Sequence, residues 1–367
     1  MLTKFAVTNY RGFKDRIEWD LSHPSNYEFN AHVIKDGVVK NGIVYGPNGS
    51  GKTNFSLALF DIENHLSQKW KKQDYYQNFI YAGRENLTVD FEYTFRFGKD
   101  LIQYDYSKNV AGLLVSEKLN VNGSDIFKKG VGTFEMYSPL FPVGPSVEEN
   151  IKANANNISI INYLLTSYPL NADNYLIKLQ QFVGSMLWFR NLDVREIIGG
   201  LDNSVTMLDE YIISNNLLND FAVFLEEVSE QKFKLVSDQT GKQLFCKINN
   251  VLVPFYIIAS TGTQSLRLLY FWMQKMKDLA SFVFIDEFDA FYHFKLAFEV
   301  CRRLFSLNCQ VFTSSHNTYL MTNDLLRPDC NFILNNNKIK PLNECTDKEL
   351  RFGNNIEKLF RGGTFEV

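Results

Sequence analysis

From Leu2 to Asn9 apolar and polar residues alternate, which predicts a strand running into Tyr10-Arg11-Gly12-Phe13-Lys14. A short apolar run, Gly42-Ile43-Val44-Tyr45, predicts a second, buried strand. Past a glycine-rich break the spacing becomes helical, with Phe55, Ala58, Leu59, Ile62 and Leu66 on one face of a single helix ending near Lys69-Trp70-Lys71-Lys72. From about 87 to 136 the period returns to two. Val89, Phe91, Tyr93 and Phe95 share a face, Leu101-Ile102-Tyr104-Tyr106 and Leu113 to Val121 follow, and Gly98, Asn109 and Asn122-Gly123 punctuate the runs, as in an antiparallel meander. Residues 150–230 read as helices, chiefly Tyr175 to Phe189 and Leu208 to Val228. Strand patterning resumes at Phe233 to Val236 and Leu244 to Ile248. From Ile257 onward the order strand, helix, strand, helix, strand suits a parallel α/β core. The expected organisation is an α/β core built from residues 1–145 and 232–367, carrying the meander, with a helical insert at 146–231.

The glycine-rich break brings in the chemistry. Gly46-Pro47-Asn48-Gly49-Ser50-Gly51-Lys52-Thr53 matches the pattern G-x-x-x-x-G-K-[ST], and it lies between a predicted strand and a predicted helix, with Asn54 next. Glycines let successive N–H groups curl toward phosphate oxygens, and the helix that follows presents its positive end. In such a loop Lys52 reaches the β- and γ-phosphates and the Thr53 hydroxyl ligates Mg²⁺. The reading is a nucleoside triphosphate site, with ATP and Mg²⁺ as its occupants. A plain glycine turn before a helix is the bland alternative, and the strand–loop–helix context weighs against it.

Three further segments matter. Phe282-Val283-Phe284-Ile285-Asp286-Glu287 is an apolar strand ending in two carboxylates, placed to hold the metal's water shell (Asp286) and to polarise an attacking water (Glu287). Ala259-Ser260-Thr261-Gly262-Thr263-Gln264 opens a helix with Leu266, Leu269, Tyr270 and Met273 on one face; alone, this is an ordinary capped helix start. Val311-Phe312-Thr313-Ser314-Ser315-His316-Asn317 is a strand ending in a histidine, which alone reads as structural. Their order along the chain turns three bland segments into one expected site.

Composition changes little. The net charge of −3 denies the chain the basic field of a dedicated nucleic-acid binder. Its five scattered cysteines form no C-x-x-C pair and suggest reduced thiols in a cytoplasm. No apolar run has membrane-spanning length. The basic runs Lys69 to Lys72 (with Tyr75 and Tyr76 nearby), Lys128-Lys129 and Arg302-Arg303 read as solvated ends, and His23, His32 and His65 show no metal-ligand spacing.

This order of motifs resembles the ABC-type ATPases, and within them the SMC–RecF-like branch. The resemblance rests on Asn9-Tyr10-Arg11-Gly12-Phe13-Lys14, on Asp286-Glu287-Phe288-Asp289 with His293 after it, and on Thr313-Ser314-Ser315-His316-Asn317. The Ser260-x-Gly262-Thr263 signature, Leu326-Arg327-Pro328-Asp329 and the tail Glu357 to Gly363 look like those of bacterial ATPases of overcoming-lysogenization-defect type and of abortive-infection and antiphage modules such as Septu and PARIS. It covers roughly residues 1–65 and 255–367. It implies a P-loop NTPase fold in which Ser260 and Gly262 bind the γ-phosphate held by a second copy, Asp289 lies in the dimer-contacting loop, His316 is the γ-phosphate switch and Arg11 lies near the nucleotide. It also implies a homodimer or higher even oligomer.

Thr261 and Thr263 stand where transporter subunits carry Gly and Gln, which argues against transport. A Gln loop is not obvious, with Gln73 and Gln77 as candidates. About fifty residues follow His316, too few for the Toprim nuclease domain that overcoming-lysogenization-defect proteins carry there. The resemblance therefore implies a defence ATPase working with a separate effector nuclease, of Toprim or HNH type, and a phage-derived trigger. The alternative is a RecF-like repair ATPase that binds DNA.

Overall fold

The computed structural model of the chain describes residues 1–66, 76–154, 159–190, 193–199 (backbone alone), 208–277 and 279–366. β1 (Leu2–Thr8) and β2 (Ile17–Asp20) form an antiparallel pair, and a small ribbon of β3 (Ile34–Lys35) and β4 (Val38–Val39) leads to the fully buried β5 (Asn41–Tyr45). After the glycine-rich loop come α1 (Lys52–Leu59) and α2 (Asp61–Leu66). The single helix expected there breaks at Phe60 (ψ 2°), a buried ring packed 5.9 Å from that of Phe282. The run Lys69 to Lys72, with Gln73 and Tyr75, lies outside the described residues.

The meander forms as its period-two pattern requires: β6 (Val89–Phe97), β7 (Asp100–Lys108), β8 (Leu114–Val121), β9 (Ser124–Gly130) and β10 (Thr133–Met136), each antiparallel to the next. Asn122 and Gly123 both have positive φ (53° and 83°), as a tight two-residue hairpin turn demands. β1 joins the edge at β6, giving a seven-stranded sheet ordered β10-β9-β8-β7-β6-β1-β2.

The next segment departs from expectation. α3 (Pro145–Ala153), α4 (Ile160–Ser167) and α5 (Tyr175–Gly184) are helices, but the helix expected from Tyr175 to Phe189 stops at Gly184. Met186–Arg190 is a strand, β11, and Asp193–Gly199 folds back on it as β12. The segment 146–231 is therefore not purely helical, because it sends a strand into the core sheet. A strand covered on both faces is apolar throughout, and Met186 to Phe189 has no alternation to distinguish it from buried helix. The helix expected from Leu208 to Val228 is likewise two, α6 (Leu208–Ser214) and α7 (Leu218–Ser229), with left-handed Asn216 (φ 57°) between them.

β13 (Leu235–Ser237), β14 (Leu244–Ile248) and β15 (Val251–Pro254) make a small antiparallel sheet. The strand expected at Ile257 is instead the short helix α8 (Phe255–Ile258), entered from Pro254. Then follow α9 (Thr261–Met276), β16 (Phe282–Asp286), α10 (Phe294–Phe305), β17 (Gln310–Ser315), β18 (Asn331–Asn335), β19 (Lys338–Pro341) and α11 (Ile356–Arg361). The second seven-stranded sheet is ordered β12-β11-β16-β17-β5-β18-β19, parallel from β11 to β18 and antiparallel at both edges.

Phe55 of α1 packs edge-on against Phe5 and Trp19, and Trp19 against Phe312 and Phe332, so the aromatic core lies between the two sheets. Parallel register aligns Tyr45 with Ser315, and Arg190 with Asp286. The carboxyl ends of β5, β11, β16 and β17 therefore open on one crevice, where open α/β sheets take their ligands.

Candidate active site

The glycines of the loop are required for two different reasons. A Cβ on Gly46 would stand 2.4 Å from the Leu334 carbonyl oxygen and 2.6 Å from Ser50 Oγ, while Gly49 and Gly51 have φ of 78° and 98°. A Cβ on Gly51 would also meet the Phe13 ring at 2.8 Å. The N-terminal motif thus seats directly on the loop, and Arg11 Nη1 donates to Asn54 Oδ1 at 3.2 Å. Pro47, Asn48 and Gly49 are exposed at the loop's tip. The Ser50 hydroxyl is buried with no partner among the described residues. Lys52 is buried, and its ammonium donates to the carbonyls of Gly46 (2.8 Å) and Pro47 (3.2 Å). Burial pushes the Lys52 pKa down, opposed by Asp286 and Glu287.

Thr53 Oγ1 donates to Asp286 Oδ2 at 2.7 Å, which joins the loop to the acidic strand. Asp286 is fully buried, and its other oxygen accepts from Ser314 Oγ at 2.6 Å. Glu287 is left-handed (φ 48°), an uncommon posture for a residue with a Cβ, and its N–H donates to Ser314 Oγ at 2.8 Å. Asp289 accepts from Ser315 Oγ at 2.7 Å, and burial pushes its carboxyl pKa up. His316 Nδ1 lies 3.4 Å from Lys52 Nζ. Burial, and then the Lys52 charge, push the imidazole pKa below its ordinary value, so the ring is neutral at pH 7 and can accept from the ammonium.

Ser260 caps α9, its Oγ accepting from Thr263 N at 3.2 Å, and both Ser260 and Thr261 are exposed. A Cβ on Gly262 would stand 3.1 Å from the Phe291 carbonyl oxygen, so this turn abuts the loop that carries Asp289. Among the described residues no hydrogen bond links the turn to residues 46–53. Lys52, Thr53, Asp286, Glu287 and His316 thus converge, whereas Ser260 and Gly262 lie outside that cluster, with Ser260 exposed. Arg327 and Asp329 form a buried pair at 2.6 Å that accepts a hydrogen bond from Ser25 N, so that motif is architectural.

Sequence reasoning missed Arg190. Its Nη2 donates to Thr53 Oγ1 at 3.3 Å, and its Nε lies 3.4 Å from Asp286 Oδ2 and 3.5 Å from Glu287 Oε2. Trp188, two residues back, donates from Nε1 to buried Ser56 Oγ at 3.0 Å and ties β11 to α1. The only sequence signal was a cation closing an apolar run that had been read as helix. Gln77 is exposed in the stretch between α2 and β6; the strand beside Asp286 ends in Arg190.

The donor set suits a hard cation. Thr53 and Asp286 offer oxygen ligands at one point, beside a loop whose backbone a Cβ would close, and Mg²⁺ completes such sets with water and phosphate oxygens. Among the described residues no cluster of three His, Cys, Asp or Glu side chains could hold a metal by itself, and no helix is long and apolar enough to cross a membrane.

No family model matches the chain, and no curated protein matches it. Among solved structures it is similar to the SMC head domain from Thermotoga maritima, at 16% identity and a TM-score of 0.46 over 92% of this chain and 97% of that one. An SmcHead bound to the C-winged helix domain of ScpA aligns at 13% identity and 0.46, over 92% and 96%. The Smc head with an extended coiled coil bound to the C-terminal domain of ScpA, from Pyrococcus furiosus, aligns at 12% and 0.43, over 92% and 95%.

Proposed function

We propose that the chain is a magnesium-dependent ATP hydrolase of the ABC type, in the SMC–RecF-like branch, whose complete site forms between two copies. The observation that carries this reading is the Thr53–Asp286 hydrogen bond, which joins groups 233 residues apart in sequence, with Lys52 and His316 beside it. The loop N–H groups cradle the phosphates, and Lys52 exchanges its loop carbonyls for phosphate oxygens. Thr53 and Asp286 would hold the magnesium ion, which when bound offsets phosphate charge. Glu287 accepts the proton of the attacking water, and His316 hydrogen-bonds the terminal phosphate. Asp289 sits in the loop beside Gly262, and Arg11 supports the nucleotide site through Asn54.

Ser260 and Gly262, at the start of a sixteen-residue helix whose cap is exposed, supply donors to the γ-phosphate of a second copy. The working form is then a homodimer or a higher even oligomer. Lys52→Ala should weaken ATP binding about 100-fold or more, because the loop loses its one point charge. Sedimentation of Glu287→Gln with saturating ATP should show at least a dimer. A monomer there overturns the shared site, and undiminished ATP binding by Lys52→Ala overturns the nucleotide site itself.

The likeness of Leu326 to Asp329 and of the C-terminal tail to antiphage ATPases supports a role as the sensor or switch of a bacterial defence module. A separate Toprim- or HNH-type nuclease then does the cutting, released by a phage-derived trigger. The gene locus should restrict phage plating, and Lys52→Ala should abolish the restriction. A locus without a nuclease, lying in a recombination operon, supports the RecF-like reading instead.

The basic runs argue for weak DNA binding by the lone protein. Lys128 pairs with Asp125 at 2.8 Å, Arg302 with Glu299 at 3.1 Å and Arg303 with Glu227. Lys129, expected as solvated, is buried beside Glu117, its cross-strand neighbour. ATPase rate and DNA binding, measured at two salt concentrations, should change little with duplex or single strands. Strong stimulation that falls steeply with salt would identify a repair ATPase.

A further inference from the structure

Arg190 is a cation that no sequence motif marks. Arg190 closes β11 in register with Asp286, and its guanidinium touches three groups together: the Thr53 hydroxyl, the Asp286 carboxylate and the Glu287 carboxylate. Two of these are the oxygens assigned above to magnesium, and the third belongs to the assigned general base. Its backbone is held on both sides. Trp188 bonds to Ser56 of α1, and the Phe189 ring stacks 5.7 Å from that of Trp272 in α9. The side chain is 27% exposed at the end of this fixed strand.

We propose that Arg190 serves the hydrolytic site in two positions: as a counter-cation on the Thr53–Asp286–Glu287 oxygens, and as a donor to the terminal phosphate once a divalent ion takes those oxygens. The inference rests on the nucleotide reading above. A guanidinium and a divalent ion held on the same hydroxyl and carboxylate oxygens oppose each other, because their like charges repel at short range in a partly buried setting. Binding of one weakens the hold of the other. A displaced guanidinium with five fixed donors then has the phosphate as its nearest new source of negative charge, and its fork geometry matches phosphate oxygens. In its first position Arg190 also lies 3.5 Å from one Glu287 carboxylate oxygen, so its departure changes the charge beside the general base as the metal enters. Metal binding and activation of the base are thereby coupled through one side chain.

Fluorescent ADP and a non-hydrolysable ATP analogue separate the two positions, with Mg²⁺ titrated against each in wild type, Arg190→Ala and Arg190→Gln, so that no turnover intervenes. ADP lacks the terminal phosphate and reports the competition alone. The Mg²⁺ concentration for half-maximal ADP binding should fall about tenfold in both variants, the scale of one hydrogen bond to a charged group. At saturating Mg²⁺ the preference for ATP over ADP should shrink by about the same factor. An unchanged Mg²⁺ midpoint overturns the first position, and an undiminished preference for ATP overturns the second. Parent protein that binds neither nucleotide at any Mg²⁺ concentration overturns the nucleotide reading along with this one. Normal binding by the parent with silent Arg190 variants overturns this inference alone.

Discussion

Glu287→Gln should lower ATP turnover by about 10²–10⁴-fold while leaving ATP binding intact, because an amide cannot take the proton of the attacking water. Glu287 is not a metal-side ligand in the proposed arrangement. The hydroxyl–carboxylate contact belongs to Thr53 and Asp286, and Glu287 stands one residue beyond the end of β16. Its left-handed backbone (φ 48°), anchored by the bond from its N–H to Ser314, takes the chain out of strand geometry at this residue. The substitution is nearly isosteric, so loss of turnover with preserved binding isolates the chemical step. Single-turnover hydrolysis beside equilibrium binding decides the matter. A variant with wild-type turnover would move the base elsewhere in the site.

Asp61→Ala should cost about 3–5 kcal/mol of stability, the scale of an abandoned buried charge. Lys108 Nζ lies 2.5 Å from Asp61 Oδ2, with 2% and 1% of the two side chains exposed. Tyr106 donates its hydroxyl to the same carboxylate at 2.8 Å, and Lys108 also donates to Tyr76 Oη at 2.8 Å. The ammonium sits 4.8 Å from the Tyr76 ring centroid and 5.4 Å from that of Tyr106, so rings assist the Asp61 carboxylate. Burial pushes the Lys108 pKa down, and Asp61 opposes it; loss of Asp61 removes that offset to the desolvation. The pair ties α2, immediately beyond the loop helix, to β7 of the meander. Denaturant titration of Asp61→Ala, Lys108→Met and the double substitution Asp61→Asn with Lys108→Met gives the test. The double should recover most of the loss, since replacing both partners removes the uncompensated charge. A loss below about 1 kcal/mol for Asp61→Ala would place the pair with exposed ion pairs, and the account would fail.

Residues 46–53 were legible because their constraint is local. Eight consecutive positions must curl, and Gly46, Gly49 and Gly51 are demanded by clashes or positive φ within that same turn and its immediate neighbours. The meander was legible for a related reason: period two and Asn122-Gly123 specify pairing between strands adjacent in sequence. The acidic strand was legible as an apolar run with a charged end. β11 was not, because a strand buried on both faces has no alternation, and its partner β16 lies about a hundred residues downstream. For the same reason the chain gave no sign that Arg190 would meet Thr53 and Asp286. Sequence by itself determined the short contiguous segments, the turn conformation of the glycine-rich loop and the order in which these segments occur. Only tertiary structure decided which distant side chains share an oxygen, since that depends on the register of parallel strands joined by long crossovers.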